Sequence, residues 1–217
     1  MDRKNIITQT EQFVKEKLAG DSSGHDWWHI YRVKKLAAKI GEIEKADLFI
    51  IEMAALLHDI ADHKFHNGNH KLGPKIVYDW CTKLQLEEKI CLHISEIVAQ
   101  VSFKGGNVET PMNTLEGKVV QDADRLDAIG AIGIARTFAY GGNKNHPMYD
   151  PAIKPEMHDS FDNYKKSKGT TINHFYEKLL LLKSRLNTNT AKKIAKERHT
   201  FMEEFLERFY KEWEGIS

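Results

Sequence analysis

Much that would announce a secreted, membrane-spanning or nucleic-acid-binding protein is absent from this chain. Only two of its 217 residues are cysteines, Cys81 and Cys91. Two thiols cannot build a disulfide framework, and these lack zinc-finger spacing, so a reducing cytoplasm is the expected setting and plain core positions the expected use. No run approaches the roughly twenty apolar residues that cross a bilayer, and the opening Met-Asp-Arg-Lys-Asn lacks the apolar centre of a secretory signal. A formal charge of +1 gives no global bias toward a nucleic acid polymer or an anionic membrane. A phosphate loop of the GxxxxGKS type is missing, which argues against a kinase or motor ATPase. There is no internal repeat, low-complexity tract or convincing strand series.

Helical spacing is what fills the chain. With 41% hydrophobic residues it can bury a full core, and one all-α domain over 1–217 is expected. Ile6, Phe13, Val14 and Leu18 mark a first amphipathic helix. Val33, Leu36, Ala37 and Ile40 mark a second, starting near Asp26 and ended by Gly41. From Leu48 to Leu57 only Glu52 interrupts the apolar residues, so this helix should be buried on most sides, with Asp47 as its N-cap. Helices are also expected over 74–84 and 86–103. One long periodic stretch covers 114–140, an irregular surface excursion about 145–155, and two further helices 171–186 and 190–213. Phe201, Phe205 and Phe209 fall four apart and read as core.

Chemistry gathers at the end of the buried helix. His58 and Asp59 follow Leu57 directly, and Asp62 lies three residues further on. Burying such groups is costly unless they are paired, hydrogen-bonded or metal-bound, so His58 and Asp59 call for partners from elsewhere. His25 and His29, four apart, project from one helix face, and Asp124 sits mid-helix among apolar residues. His29, His58, Asp59 and Asp124 together would form a mixed nitrogen and oxygen cage without thiolate. Such a cage suits Mn²⁺, Fe²⁺, Ni²⁺, Co²⁺, Mg²⁺ or Zn²⁺.

The order His29, His58-Asp59, Asp124, with the blocks Gly24–Val33, Leu57–Asp62, Val101–Gly105 and Gln121–Gly130, resembles the HD-domain superfamily of metal-dependent phosphohydrolases, and within it the YpgQ/YedJ-like branch. The resemblance covers the core motifs in about 20–140, with C-terminal helices over 158–214 packing on them. It implies an all-α bundle in which His29, His58, Asp59 and Asp124 hold a divalent ion, Mn²⁺ favoured. It also implies a small nucleotide-like phosphate ester or anhydride as substrate, most specifically a nucleoside triphosphate cleaved to monophosphate and pyrophosphate. Asp124 is preferred over Asp122 and Asp127 because it precedes Arg125-Leu126 as in the family pattern; the other two are expected on the helix surface or behind the ligands. Asp62 is the expected base or water-orienting group, and His25, Lys64, Lys104 and Arg125 are the expected contacts to a charged substrate. Asp62-His63 stands where alarmone-hydrolysing relatives carry Glu-Asp, which points away from that substrate.

Two other readings compete. His25-Asp-Trp-Trp-His29 has the spacing of the HExxH zinc peptidases, with a shorter acid and at a helix start. A non-catalytic nucleotide or metal sensor could use the same bundle, but it would have no need of a water-activating Asp62.

Overall fold

The computed structural model describes residues 2–19, 26–60, 72–102, 108–157 and 169–216, and among them every regular element is a helix. These group into two compact units, Met1–Phe103 with Thr110–Asp124, and Lys104–Glu109 with Arg125–Ser217.

In the first unit α3 (Leu48–Leu57) is the hub, packed against α1 (Arg3–Lys17), α2 (Trp27–Glu44) and α5 (Glu88–Gln100). Only Leu48 and Glu52 escape full burial, as a helix apolar on all sides requires. Asp47 caps it as expected, its carboxylate accepting from the Phe49 and Ile50 amides at 2.9 and 3.3 Å. Gly41 does not end α2. The helix runs on to Glu44 and stops at Lys45, whose φ of 60° is left-handed. A Cβ on Gly41 would lie 2.5 Å from Ile51 Cδ1 and 3.2 Å from Leu48 Cδ2, so this glycine marks the close approach of α2 to α3. Helix α4 (Leu72–Lys83) packs on α5 and joins α1 through Phe13 and Trp80, stacked with centroids 4.0 Å apart. Both cysteines are buried and free, and burial together with the neighbouring Cys91 pushes the Cys81 thiol up to about 12, leaving it inert.

Helix α6 (Leu115–Asp127) starts in the first unit, and the division between units falls within it, after Asp124. The periodic stretch over 114–140 is therefore two helices. The chain turns at Ala128–Ile129 and restarts as α7 (Gly130–Asn143). The restart depends on Gly130, at φ +77°, where a Cβ would also come within 2.9 Å of Arg198 Cγ. Gly130→Ala should lower stability by about 1–2 kcal/mol, measurable as a reduced urea midpoint at unchanged slope.

In the second unit the expected helix over 171–186 is short. Helix α8 (Asn173–Glu177) gives way at Lys178 to a 3₁₀ helix, Leu179–Arg185. Leu179 and Leu182, three apart, eclipse in that geometry and are the two it buries. The last helix, α9 (Asn189–Trp213), packs on α7. Phe205 meets Phe138 and Phe175 at 6.0 and 5.8 Å, whereas Phe201 is 48% exposed and lies outside the core expected for it. The irregular segment after α7 is pinned rather than loose. Pro147 and Met148 carbonyls accept from the Thr171 and Ile172 amides, and Tyr149 sits edge-on to Phe209, Tyr210 and Trp213.

Candidate metal centre

Three helices of different origin bring four side chains to one point. His29 comes from the first turn of α2, whose cap Asp26 accepts from the His29 amide at 2.9 Å. His58 and Asp59 follow the last residue of α3, and Asp124 comes from the last turn of α6. His29 Nε2 lies 3.2 Å from His58 Nε2, 3.3 Å from Asp59 Oδ2 and 3.5 Å from Asp124 Oδ1. His58 Nε2 lies 3.4 Å from Asp59 Oδ2 and 3.7 Å from Asp124 Oδ1. The tightest trio is His29, His58 and Asp59, with donor atoms within 4.8 Å of one another; Asp124 faces the two imidazole nitrogens.

The spacing of His29, His58 and Asp59 fits a single cation. Ligand atoms ~2.1 Å from a common ion lie ~3.0 Å apart at right angles and ~3.4 Å apart at tetrahedral ones. The tautomer fits too. The Ala55 carbonyl is 2.8 Å from His58 Nδ1; an oxygen of that kind only accepts, so Nδ1 carries the proton and a neutral His58 turns a bare Nε2 lone pair toward the cluster. Burial alone would drive the His58 pKa down, but Asp59 and Asp124 more than offset it and raise it to about 9. For Asp124 burial acts upward and His58 and His29 outweigh it, holding the carboxyl at about 2. The Asp124 carboxylate, kept ionised beside two imidazoles and a second carboxyl group, makes a site for positive charge. The way in lies on the carboxylate side: the His29 and His58 side chains are 1% exposed, those of Asp59 and Asp124 12% and 26%.

Other expected site residues fare differently. His25, Asp62, Lys64 and Lys104 lie outside the described residues. Arg125 is 5% exposed and its Nη1 donates to the Arg185 carbonyl, a framework contact, while Arg185 in turn donates to the Val108 carbonyl. Asp122 and Asp127 are not on the helix surface. They are 0% and 3% exposed, and Asp127 is paired with Arg136 at 2.7 Å, which offsets the cost of burying its charge. What sequence reasoning misses is the role of Asp26, in the sequence the start of the second helix and the short acid of the peptidase-like motif; it is the N-cap three residues ahead of His29.

Comparison with known proteins agrees with this arrangement. The HD domain family matches residues 27–129. The chain is 41% identical to YpgQ of Bacillus subtilis (strain 168) over 214 residues, 97% of this chain and 96% of that protein. Among solved structures, an HD-superfamily hydrolase from Bacillus thuringiensis superposes with a TM-score of 0.77 at 49% identity, covering 98% of this chain and 99% of the other. Bacillus subtilis YpgQ in complex with ADP superposes with a TM-score of 0.76 at 38% identity, covering 97% and 100%. Four side chains drawn from three helices onto one point, in the order His, His-Asp, Asp, thus go with likeness over nearly the whole length, and the chain belongs to the HD-domain family of hydrolases.

Proposed function

We propose that the protein is a metal-dependent phosphohydrolase that cleaves nucleoside triphosphates to monophosphate and pyrophosphate in the cytoplasm, with Mn²⁺ the favoured ion. The observation that carries the reading is that the His29 and His58 ring nitrogens lie 3.2 Å apart and each 3.3–3.7 Å from a carboxylate oxygen of Asp59 and of Asp124. The ADP held by YpgQ supports a nucleotide as the kind of molecule recognised.

In this reading the four side chains hold the ion. When bound, it lowers the pKa of water from ~15.7 toward ~7 and neutralises charge on a phosphate oxygen. The chain's own groups do the rest. The two carboxylates balance the cation, and the Ala55 carbonyl keeps His58 in the tautomer that presents Nε2. Asp62, three residues beyond Asp59, accepts the proton from the attacking water. The new bond forms between that water oxygen and the α-phosphorus, the bridging bond from the α-phosphorus to oxygen breaks, and pyrophosphate leaves. Lys64, Lys104 and His25 meet the phosphate charge. Arg125, held by the Arg185 carbonyl, is not assigned a substrate contact. The zinc-peptidase reading is set aside, because His29 faces His58, Asp59 and Asp124 and the family is that of the HD domains.

The test is a panel of ribo- and deoxyribonucleoside mono-, di- and triphosphates with Mn²⁺, Co²⁺, Ni²⁺ or Mg²⁺, assayed for phosphate with and without added pyrophosphatase. Triphosphates should give a signal only when pyrophosphatase is present. Phosphate appearing without it would replace this reading with stepwise dephosphorylation. Nucleotide binding with no turnover would favour a sensor.

A further inference from the structure

We propose that Asp26 is a positioning residue for the metal centre, setting its affinity through the backbone of His29; this rests on the reading of His29 as a ligand. The proposed ligands do not sit in equally secure places. His58, just past the end of α3, is tied by its own ring to the Ala55 carbonyl, and Asp124 lies in the last turn of α6, where the amides keep their partners within the helix. His29 is the third residue of α2, in the turn where a helix lacks intrahelical partners for its amides and frays first.

Two contacts close that turn. Asp26 Oδ1 accepts from the His29 amide at 2.9 Å, and the Asp26 carbonyl accepts from the amides of His29 and Ile30 at 3.1 and 3.3 Å. The side-chain bond therefore lands on the backbone of the residue whose ring must stay 3.2–3.5 Å from three other donors. No acidic residue stands in the first turn of α2, so among the described residues Asp26 is the carboxylate that meets the positive end of that helix. Just beyond the cap, Trp27 is braced by Lys15 Nζ, 4.4 Å from its ring. Without the cap the His29 ring samples positions away from its partners, and the ion must recruit it back on binding.

Asp47 supplies the internal comparison. It caps α3 with the same chemistry, but its bonds fall on Phe49 and Ile50, at the opposite end of that helix from His58. Asp26→Ala should weaken Mn²⁺ binding by about fivefold to tenfold, the equivalent of a lost cap. Asp26→Asn and Asp26→Ser, which cap nearly as well, should restore most of it. Asp47→Ala should lower the melting temperature and leave Mn²⁺ affinity unchanged.

The readout is Mn²⁺ titration of the whole protein by calorimetry, beside the melting temperature of each metal-free variant. Equal affinity losses in Asp26→Ala and Asp47→Ala, no loss in Asp26→Ala, or failure of Asp26→Asn to rescue would each overturn the proposal, as would a wild-type protein that binds no Mn²⁺. If the wild type binds Mn²⁺ and hydrolyses no nucleotide, the phosphohydrolase reading fails and the role of Asp26 stands on its own measurement.

Discussion

Asp59→Ala is expected to abolish nucleotide turnover and to weaken Mn²⁺ binding by more than about a hundredfold. Its Oδ2 lies 3.3 and 3.4 Å from the two imidazole nitrogens, and its side chain is 12% exposed. Alanine there leaves one carboxylate to balance a divalent charge in a site largely closed to water. Losing one partner from such a buried charge set costs ~3–5 kcal/mol, beyond the ~2.7 kcal/mol that a hundredfold in affinity represents. Asp59→Asn separates charge from shape. It keeps the volume and one oxygen, yet it should lose nearly as much, because in the proposed site neutralisation of the ion is what the carboxylate would supply. Calorimetric Mn²⁺ titration and the pyrophosphatase-coupled assay read the two consequences independently. Wild-type affinity in Asp59→Ala would remove this side chain from the ligand set.

Metal affinity should also climb steeply with pH, about tenfold per unit and about a hundredfold between pH 6.5 and 8.5. In the metal-free protein the His58 pKa is raised from 6.5 to about 9, burial acting downward and Asp59 and Asp124 prevailing. A raised folded value means that protonated His58 contributes stability fully present below pH 6.5 and lost as pH rises through about 9. For Asp124, lowered from 3.8 to about 2, the contribution is present above pH 3.8 and lost as pH falls through about 2. A cation held by His58 as proposed would therefore have to displace its proton throughout the neutral range, and each unit of pH toward 9 would remove a tenfold competition. Titrations in buffers of different ionisation enthalpy should report about one proton released per ion at pH 7. The melting temperature of the metal-free protein should fall over the pH range in which affinity improves. A flat affinity profile would mean that His58 is already neutral.

Where the sequence was legible, one physical signal dominated. The apolar run over 48–57, interrupted by Glu52 alone, pointed to a helix buried on most sides, and Asp47 ahead of it to its cap. His58 and Asp59 stood out because charge at the end of such a helix is costly without partners, and those partners, His29 and Asp124, lie within 3.2–3.7 Å of them or of each other. Breaks that keep the phase of the pattern were illegible. The turn at Ala128–Ile129 interrupts α6 and α7 without disturbing the apolar spacing, and the leucines after Lys178 suit a 3₁₀ helix as well as an α-helix. Gly41 was misread because a glycine at a close helix crossing looks in sequence like one at a helix end. Burial of Asp127 depended on Arg136, a pairing that no local pattern discloses. The proposed base Asp62 and the cations His25, Lys64 and Lys104 fall outside the described residues.

The bond from His58 Nδ1 to the Ala55 carbonyl explains why this position calls for imidazole and not merely for any group that binds metals. An oxygen in the last turn of α3 has no amide ahead of it in the helix. Cysteine, aspartate or glutamate could reach an ion from here, but each would arrive as a thiolate or carboxylate with no hydrogen to offer backward. Imidazole is two-handed: one nitrogen finishes the helix while the other faces the carboxylates of Asp59 and Asp124. Folding α3 thus already settles which nitrogen of His58 turns toward Asp59 and Asp124.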